Sequence, residues 1–243
     1  MQFNGNQLGV SYEGRESMIT LLEALNSQKK YKLDTLYLAL SLCDRYLVNL
    51  AIQNVSAPSL ITLAVAATLM AAKIEEPVQP NYGRMVRLVM NQWDVQIDKQ
   101  DLIDLEERII KSLDFDLHFA GPLPFLQRFQ RVFDLDFGSD TAIDRKNSAA
   151  FMVSALAHSL IRMVIRTPAY LTLKPSQVAA GALTLAINLC VSRQASGLNL
   201  EPISTLKFRI LDSSLLTNYS AERNKLNACV CPLSLWLKNE SVL

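Results

Sequence analysis

Glycine is scarce in this chain, 8 residues in 243, and the alternating, turn-punctuated patterns of a β-protein are missing with it. What is left reads as all-α. Histidine is down to two residues, His118 and His158, far apart and without metal-ligand spacing around them. Cysteine is limited to Cys43, Cys190, Cys229 and Cys231, all inside apolar helical patterns. The polar stretch Met1 to Val10 has no apolar signal core, so reduced buried thiols in a cytosolic or nuclear protein are expected. Cys229-x-Cys231 has no second Cys or His pair nearby, which argues against a zinc site. An excess of one charge is absent as well: 24 Lys and Arg face 23 Asp and Glu, and no basic run stands out. That excludes a general attraction for nucleic acid or an anionic membrane. The most apolar stretch, Pro58 to Pro77, is too short for a bilayer once its terminal charges are set aside, and Ala and Thr dilute it. A Gly-rich phosphate loop, a nucleophile elbow and a His-Glu metal motif are all missing. No enzyme activity, cofactor, metal or small-molecule ligand is expected.

Against these absences stands a composition that is 50% hydrophobic and 19% charged, suited to a well-buried globular protein. Its centre is the stretch Pro58 to Pro77, apolar or small on nearly every face. A helix of that kind has no wet side and belongs in the middle of a bundle. Ser56 is the expected N-cap, Pro58 falls in the first turn, and Pro77 stops the helix. One feature breaks the pattern: the charged run Lys73-Ile74-Glu75-Glu76 closes a segment that otherwise carries no charge.

Other helices surround it in sequence. Residues 1–14 read as a short polar arm. Met18, Leu21, Leu22 and Leu25 give an amphipathic helix of about three turns. Asp34 is the expected cap of a second helix bearing Leu36, Ala39, Leu40, Cys43, Tyr46 and Leu47. Tyr82, Met85, Val86, Val89 and Met90 mark a fourth, and Asp98 or Asp101 caps a fifth with Leu102, Leu105, Ile109 and Leu113 inward. A linker-like segment, His118 to Pro124, follows. Helical patterns then resume through Phe125, Phe129, Val132 and Phe133, and again from Ala149 to Val164. Pro175 to Cys190 repeats the central helix, opening Pro-Ser and rich in Ala and Thr. Matching Pro58 to Pro175 gives a period far too long for a solenoid and fits a duplicated domain. Tyr219 to Leu237 would parallel the fifth helix of the first half. In this register Lys73 falls on Cys190 and Glu75 on Ser192, so the second copy keeps the buried helix and drops the charges. A fold that needs only the helix does not need those charges, which makes the end of the first copy the better candidate for a site.

The motifs Asp44-Arg45-Tyr46-Leu47, Met70-Ala71-Ala72-Lys73-Ile74-Glu75-Glu76, Leu105-Glu106 and Leu113-Asp114-Phe115-Asp116-Leu117 resemble those of the cyclins. Pro122-Leu123-Pro124-Phe125-Leu126-Gln127-Arg128-Phe129 is similar to the junction between the two boxes of mitotic A/B-type cyclins. Leu173-Lys174-Pro175-Ser176 and Thr217-Asn218-Tyr219-Ser220 resemble second-box landmarks, so the likeness runs from about residue 15 to 238. It implies an all-α fold of two tandem five-helix cyclin boxes, each around a central buried helix. The expected layout is an arm over 1–14, a kinase-binding box over 15–119 and a second box over 120–243.

The resemblance also implies a partner and a mechanism. The partner is a cyclin-dependent protein kinase, and the family's kinase-contacting lysine and glutamate match Lys73 and Glu106. Met70, Ile74, Ile110, Phe115 and Leu117 would supply apolar contacts around them. The cyclin holds the kinase's mobile regulatory helix inward, so that a kinase glutamate pairs with the ATP-orienting lysine needed for phosphoryl transfer. Asp44 and Arg45 match a motif that supports the fold. Cyclins that recruit kinase substrates carry Met-Arg-x-x-Leu and a Trp on the first helix. Here Met18, Leu21 and Leu22 stand in that region without the Trp, and substrate docking there stays open. The degradation segment of mitotic cyclins has no obvious place ahead of residue 15. Read locally, Lys73 needs no partner, because a lysine in a last turn complements the helix dipole. Glu106 beside Glu107 reads as a solvated face, Asp44 and Arg45 as a surface pair, and Phe115 and Leu117 as core. A cyclin-fold adaptor that binds a partner without activating a kinase is the main rival. A transcription factor of paired cyclin folds would want a basic surface and a zinc-binding arm. Nucleus and cytoplasm both suit such a regulatory subunit.

Overall fold

The structure, a computed structural model, describes residues 11–132 and 149–193. Every regular element among them is helical. The chain divides into two compact units, Met1–Gly121 and Pro122–Leu243.

The first unit contains α1 (Tyr12–Lys29), α2 (Leu33–Ile52), α3 (Leu60–Glu75), α4 (Tyr82–Trp93) and α5 (Lys99–Ser112). Helix α3 packs against α1, α2 and α5, which places it at the centre. All ten residues from Leu63 to Ala72 are buried, as an all-round apolar helix must be. Alanines on several faces let neighbouring backbones come close, while Leu63, Val65 and Leu69 fill the gaps. Full burial of each of these larger side chains contributes about 1.5–3 kcal/mol. Thr68 avoids a polar penalty by donating its hydroxyl back to the Ala64 carbonyl at 2.7 Å. Helix α2 is long and apolar enough to span a membrane by length and composition, yet most of it is buried within the protein.

Helix ends depart from the expectations in three places. Helix α1 starts at Tyr12, inside the segment read as an arm, because the Ser11 hydroxyl accepts from the Gly14 N–H at 3.1 Å. It therefore runs for 18 residues instead of three turns. Helix α3 begins after Ser59, so neither Ser56 nor Pro58 lies where expected. Helix α2 is capped neither by Asp34 nor by any side chain of its own N-cap, Lys32. Glu76 does that work from the end of α3: its Oε1 accepts from the Lys32 N–H at 2.7 Å and the Thr35 hydroxyl at 2.5 Å. The Lys32 ammonium also donates to the Glu75 carbonyl at 2.9 Å, fastening the two helix ends together. The expected Asp98 cap of α5 is present, as is its inward set of Leu102, Leu105, Ile109 and Leu113.

Asp44 and Arg45 do not pair with each other. Asp44 is buried and takes two hydrogen bonds from the Arg15 guanidinium, at 2.9 and 2.8 Å, joining α2 to α1. Burial pushes the Asp44 carboxyl up from its usual range, and Arg15 pulls it back only in part. Arg45 instead reaches Asp116 at 2.9 Å, holding the segment that follows α5. At Gly121 an added Cβ would sit 3.1 Å from the Tyr37 Cβ, so the close approach of chain to α2 suits glycine.

The second unit contains α6 (Pro122–Val132), α7 (Ala149–Val164), a 3-10 turn (Pro168–Thr172) and α8 (Pro175–Arg193). Helix α8 packs against both α7 and α6. Its buried face comprises Val178, Ala179, Ala180, Ala182, Leu183, Ala186, Ile187 and Cys190. Cys43 and Cys190 are both buried, and burial pushes the Cys43 thiol up. The expected segments at Phe133, Tyr219 to Leu237 and Thr217 to Ser220, with Cys229 and Cys231, lie outside the described residues.

Candidate functional site

The charged run at the end of α3 splits into two jobs. Glu76 caps α2, as described, while Lys73 turns to α5. Its Nζ donates to Glu106 Oε2 at 2.7 Å and also to the Tyr82 hydroxyl. That hydroxyl donates in turn to the same Glu106 oxygen at 2.6 Å. The ammonium also lies 4.9 Å from the centre of the Tyr82 ring, within cation–π range. Three helices thus meet at one carboxylate: α3 through Lys73, α4 through Tyr82 and α5 through Glu106.

The two charges are unequally placed. The Glu106 side chain is 8% exposed and that of Lys73 is 36% exposed. Partial burial works against the Lys73 ammonium, but the hydrogen bonds and charge of Glu106 and the Tyr82 oxygen outweigh it and hold its pKa above the usual lysine value. The Tyr82 hydroxyl is pushed up as well, by burial first and then by its bond to Glu106. Only one oxygen of the glutamate is used. Oε1 is buried and has no hydrogen-bond partner among the described residues. A buried acceptor without a donor costs about 1–3 kcal/mol or more, so this oxygen is a standing demand for an N–H or O–H.

The apolar residues matched by the resemblance divide by accessibility. Ile74, next to Lys73, is 48% exposed, and Phe115, beyond the end of α5, is 74% exposed. Ile110 and Leu117 are half-buried, and Met70 is buried at 4%. Phe115 is therefore a surface residue, contrary to the local reading that made it core. It sits at φ 61°, directly after Asp114 at φ 50°. A bulky side chain in the left-handed region is uncommon and strained. The turn is held by the Phe115 N–H to the Ile110 carbonyl at 3.0 Å, by the Asp114 N–H to Lys111 at 3.2 Å and by the Arg45–Asp116 pair. The fold spends backbone energy here to keep a large aromatic ring in water.

On the other side of the unit, Met18 and Leu21 line a cavity of about 640 Å³ together with Leu60, Ile61 and Trp93. Met18, Leu21 and Leu22 are each buried, and Leu22 does not line this cavity. A tryptophan is present after all, supplied by the end of α4 and not by α1. Glu13 and Glu16 stand on the α1 wall.

Sequence reasoning missed Tyr82, Arg15 and Trp93. Tyr82 was counted as an apolar position of α4, and its phenol has no local signal in the sequence. Arg15 lies 29 residues from Asp44, a separation that no helical period reports.

Comparison with known proteins agrees with this architecture. Residues 2–118 match the family "Cyclin, N-terminal domain". The chain is 29% identical over 181 residues to G2/mitotic-specific cyclin-4 of Saccharomyces cerevisiae, covering 74% of this chain and 35% of that protein. It is 27% identical over 242 residues to G2/mitotic-specific cyclin-B of Hydra vulgaris, covering 93% of this chain and 60% of that protein. The chain thus spans only about a third to three fifths of the length of these relatives. Among solved structures, a viral cyclin from herpesvirus saimiri superposes with a TM-score of 0.58 at 18% identity, over 86% of this chain and 89% of that one. A chain from the CAK complex of Chaetomium thermophilum bound to ATP-gamma-S gives 0.54 at 15% identity, over 89% and 71%. These two likenesses speak for the fold alone. With this match over residues 2–118 and relatives that are mitotic cyclins, the chain carries a cyclin N-terminal domain.

Proposed function

We propose that this chain is a regulatory subunit that binds and activates a cyclin-dependent serine/threonine kinase in cell-cycle control. The face formed by Lys73, Glu106, Ile74 and Phe115 receives the kinase's regulatory helix, with Ile110, Leu117 and the underlying Met70 completing the apolar part. The observation that carries this reading is Glu106 Oε1, a buried carboxylate oxygen lacking a donor beside an accessible ammonium. An incoming helix end has the matching groups, since its first N–H groups and last carbonyls have no partners within the helix. The oxygen takes an N–H from the kinase, and Lys73 turns one of its three donors to a carbonyl. Ile74 and Phe115 contribute apolar burial, and the aromatic ring suits an interface anchor.

The work done is a shift of population. Moving a kinase from 1:99 to 99:1 in favour of the inward helix takes about 5.5 kcal/mol of differential affinity, which an interface of ordinary size can supply. Kinase substrates would dock separately, in the cavity lined by Met18, Leu21 and Trp93, where an apolar side chain fits and Glu13 and Glu16 favour a basic neighbour. Activity follows the kinase to nucleus or cytoplasm.

The experiment is capture of kinases from the source cell by the intact chain and by a Lys73→Ala, Glu106→Ala double variant, with a kinase assay on each bound fraction. Retention and activation by the intact chain, and loss by the variant, are expected. A kinase held equally by both would remove Lys73 and Glu106 from the interface. Binding without activation would make the chain an adaptor.

A further inference from the structure

We propose that the groove between the end of α1 and the outer side of α4 is an anion-binding subsite whose ligand is the phosphorylated side chain of a docked peptide. The groove has a volume of about 540 Å³, and its cationic wall is Arg84 and Arg87. These residues are three apart on α4 and so share one side of the helix. Neither guanidinium is paired with a carboxylate of the described residues; the salt bridges of the first unit use other cations. Arg87 makes only a long 3.3 Å bond from Nε to the Gly83 carbonyl, within its own helix. Lys29 adds a third cation from the last turn of α1, and its ammonium is held below the ordinary lysine value by burial and then by the charge of Arg84. Arg84 and Arg87 thus face the groove, Lys29 stands close enough to feel the charge of Arg84, and none of the three is paired with a carboxylate among the described residues, in a chain whose net charge is only +1.

The chemistry of the ligand follows from charge and shape. Guanidinium forks bind planar or tetrahedral oxyanions through two hydrogen bonds at once. A phosphorylated side chain carries a charge of about −1.5 to −2 near neutral pH, against −1 for a carboxylate, and matches the two groove arginines better. The neighbouring surface selects the class of molecule. Gln92 lines both this groove and the apolar cavity, so the two adjoin. Along that continuation the wall carries Glu13 and Glu16, which would repel the repeating charges of a nucleic acid. A peptide with one apolar anchor and one phosphorylated residue a short distance away meets favourable chemistry in both places. Gln28 and Gln92 hydrogen-bond to each other across the groove, so α1 and α4 are tied before any ligand arrives. The inference extends the docking part of the proposed function and rests on it only for the peptide's apolar anchor.

The test uses the immobilised intact chain and two peptide pools with degenerate flanking positions, one centred on phosphoserine and one on serine. An Arg84→Gln, Arg87→Gln variant, checked by thermal melting, is run beside it. Charge-assisted hydrogen bonds of this kind give a preference of about tenfold or more for the phosphorylated pool, and the variant is expected to fall to parity. Equal retention of both pools by the intact chain, or a preference that survives in the variant, would overturn the proposal. Kinase capture is scored on the same preparations. A variant that still captures kinase but has lost the phosphate preference supports the subsite. Failure of the intact chain to capture any kinase counts against the proposed function and leaves the peptide readout standing.

Discussion

Helices α3 and α8 solve the same problem with nearly the same residues. Both are rich in alanine, both are buried, and each hides a threonine by bonding it to the carbonyl one turn back, Thr68 to Ala64 and Thr184 to Ala180. They part at their C-terminal ends. In α3 the chain leaves the core through Lys73, which reaches Glu106 and Tyr82. In α8 the matching position is Cys190, a thiol that is itself buried. They differ at their starts too: Gln177 reaches back to the Lys174 N–H at 2.8 Å, whereas Ser59 makes no such bond for α3. A central helix therefore needs small apolar residues and no lysine at the position of Lys73. The charges at the end of α3 are an addition, and they sit where an oxygen is left wanting a donor.

That contrast can be broken most severely through Arg15 and Asp44, a charge pair that the first unit buries for its own sake. Arg15→Ala strands Asp44 in the core and is expected to cost about 3–5 kcal/mol in urea unfolding. The loss grows with pH. Burial already raises the Asp44 pKa in the folded state, and removing Arg15 raises it further. The folded variant then binds more protons than the unfolded chain, so its stability is fullest below about pH 4 and falls towards neutrality. Replacing the pair together by Met and Leu should recover most of the loss. Writing the charge of α3 into α8 is the next test. Cys190→Lys places an ammonium at a buried site, at an expected cost of about 3 kcal/mol by the same measurement.

Phe115→Gly sharpens the difference in the other direction. Glycine accepts the left-handed backbone, so thermal melting should show a gain of about 1 kcal/mol, while kinase capture weakens. A variant that gained stability and kept full capture would leave the strained ring without a purpose. A smaller loss than that of Arg15→Ala is expected for Lys73→Met, about 1–3 kcal/mol, because Lys73 is itself partly exposed while the carboxylate it leaves behind on Glu106 is buried and keeps only the Tyr82 hydroxyl. The Lys73 pKa is raised in the folded state, so whatever stability the pair gives is present at neutral pH and lost only above about pH 10.5, as the ammonium loses its proton. Wild-type and variant melting curves should differ below that pH and converge above it.

The parts of the molecule that obey one period were open to reading from the residues. The burial of Leu63 to Ala72, the Asp98 cap and the inward face of α5 each follow from neighbours within a few positions. The parts that join distant segments were not. Nothing near Lys32 announces that Glu76 will cap it, and nothing near Asp44 announces Arg15. The end of α3 around Lys73 was marked by its charges and by their loss from the second copy, whereas Glu106 was singled out through the family likeness alone. Tyr82, the third member of that cluster, was lost inside an apolar stripe. The exposure of Phe115 depends on a left-handed turn at Asp114 and Phe115, which aspartate tolerates but phenylalanine does not advertise.

On the proposed reading, the pairing of Lys73 with Glu106 would also set the tempo at which a kinase comes and goes. At a distance the two charges nearly cancel, so the face projects little field and does little to draw a partner through solution. Encounter is then ordinary in speed and nearly indifferent to salt. The side chains are already fixed on α3 and α5, so their rotamer freedom is spent in folding and not at docking. What the site gains from filling the empty side of Glu106 is felt when the partner tries to leave, which makes this face an instrument of residence time.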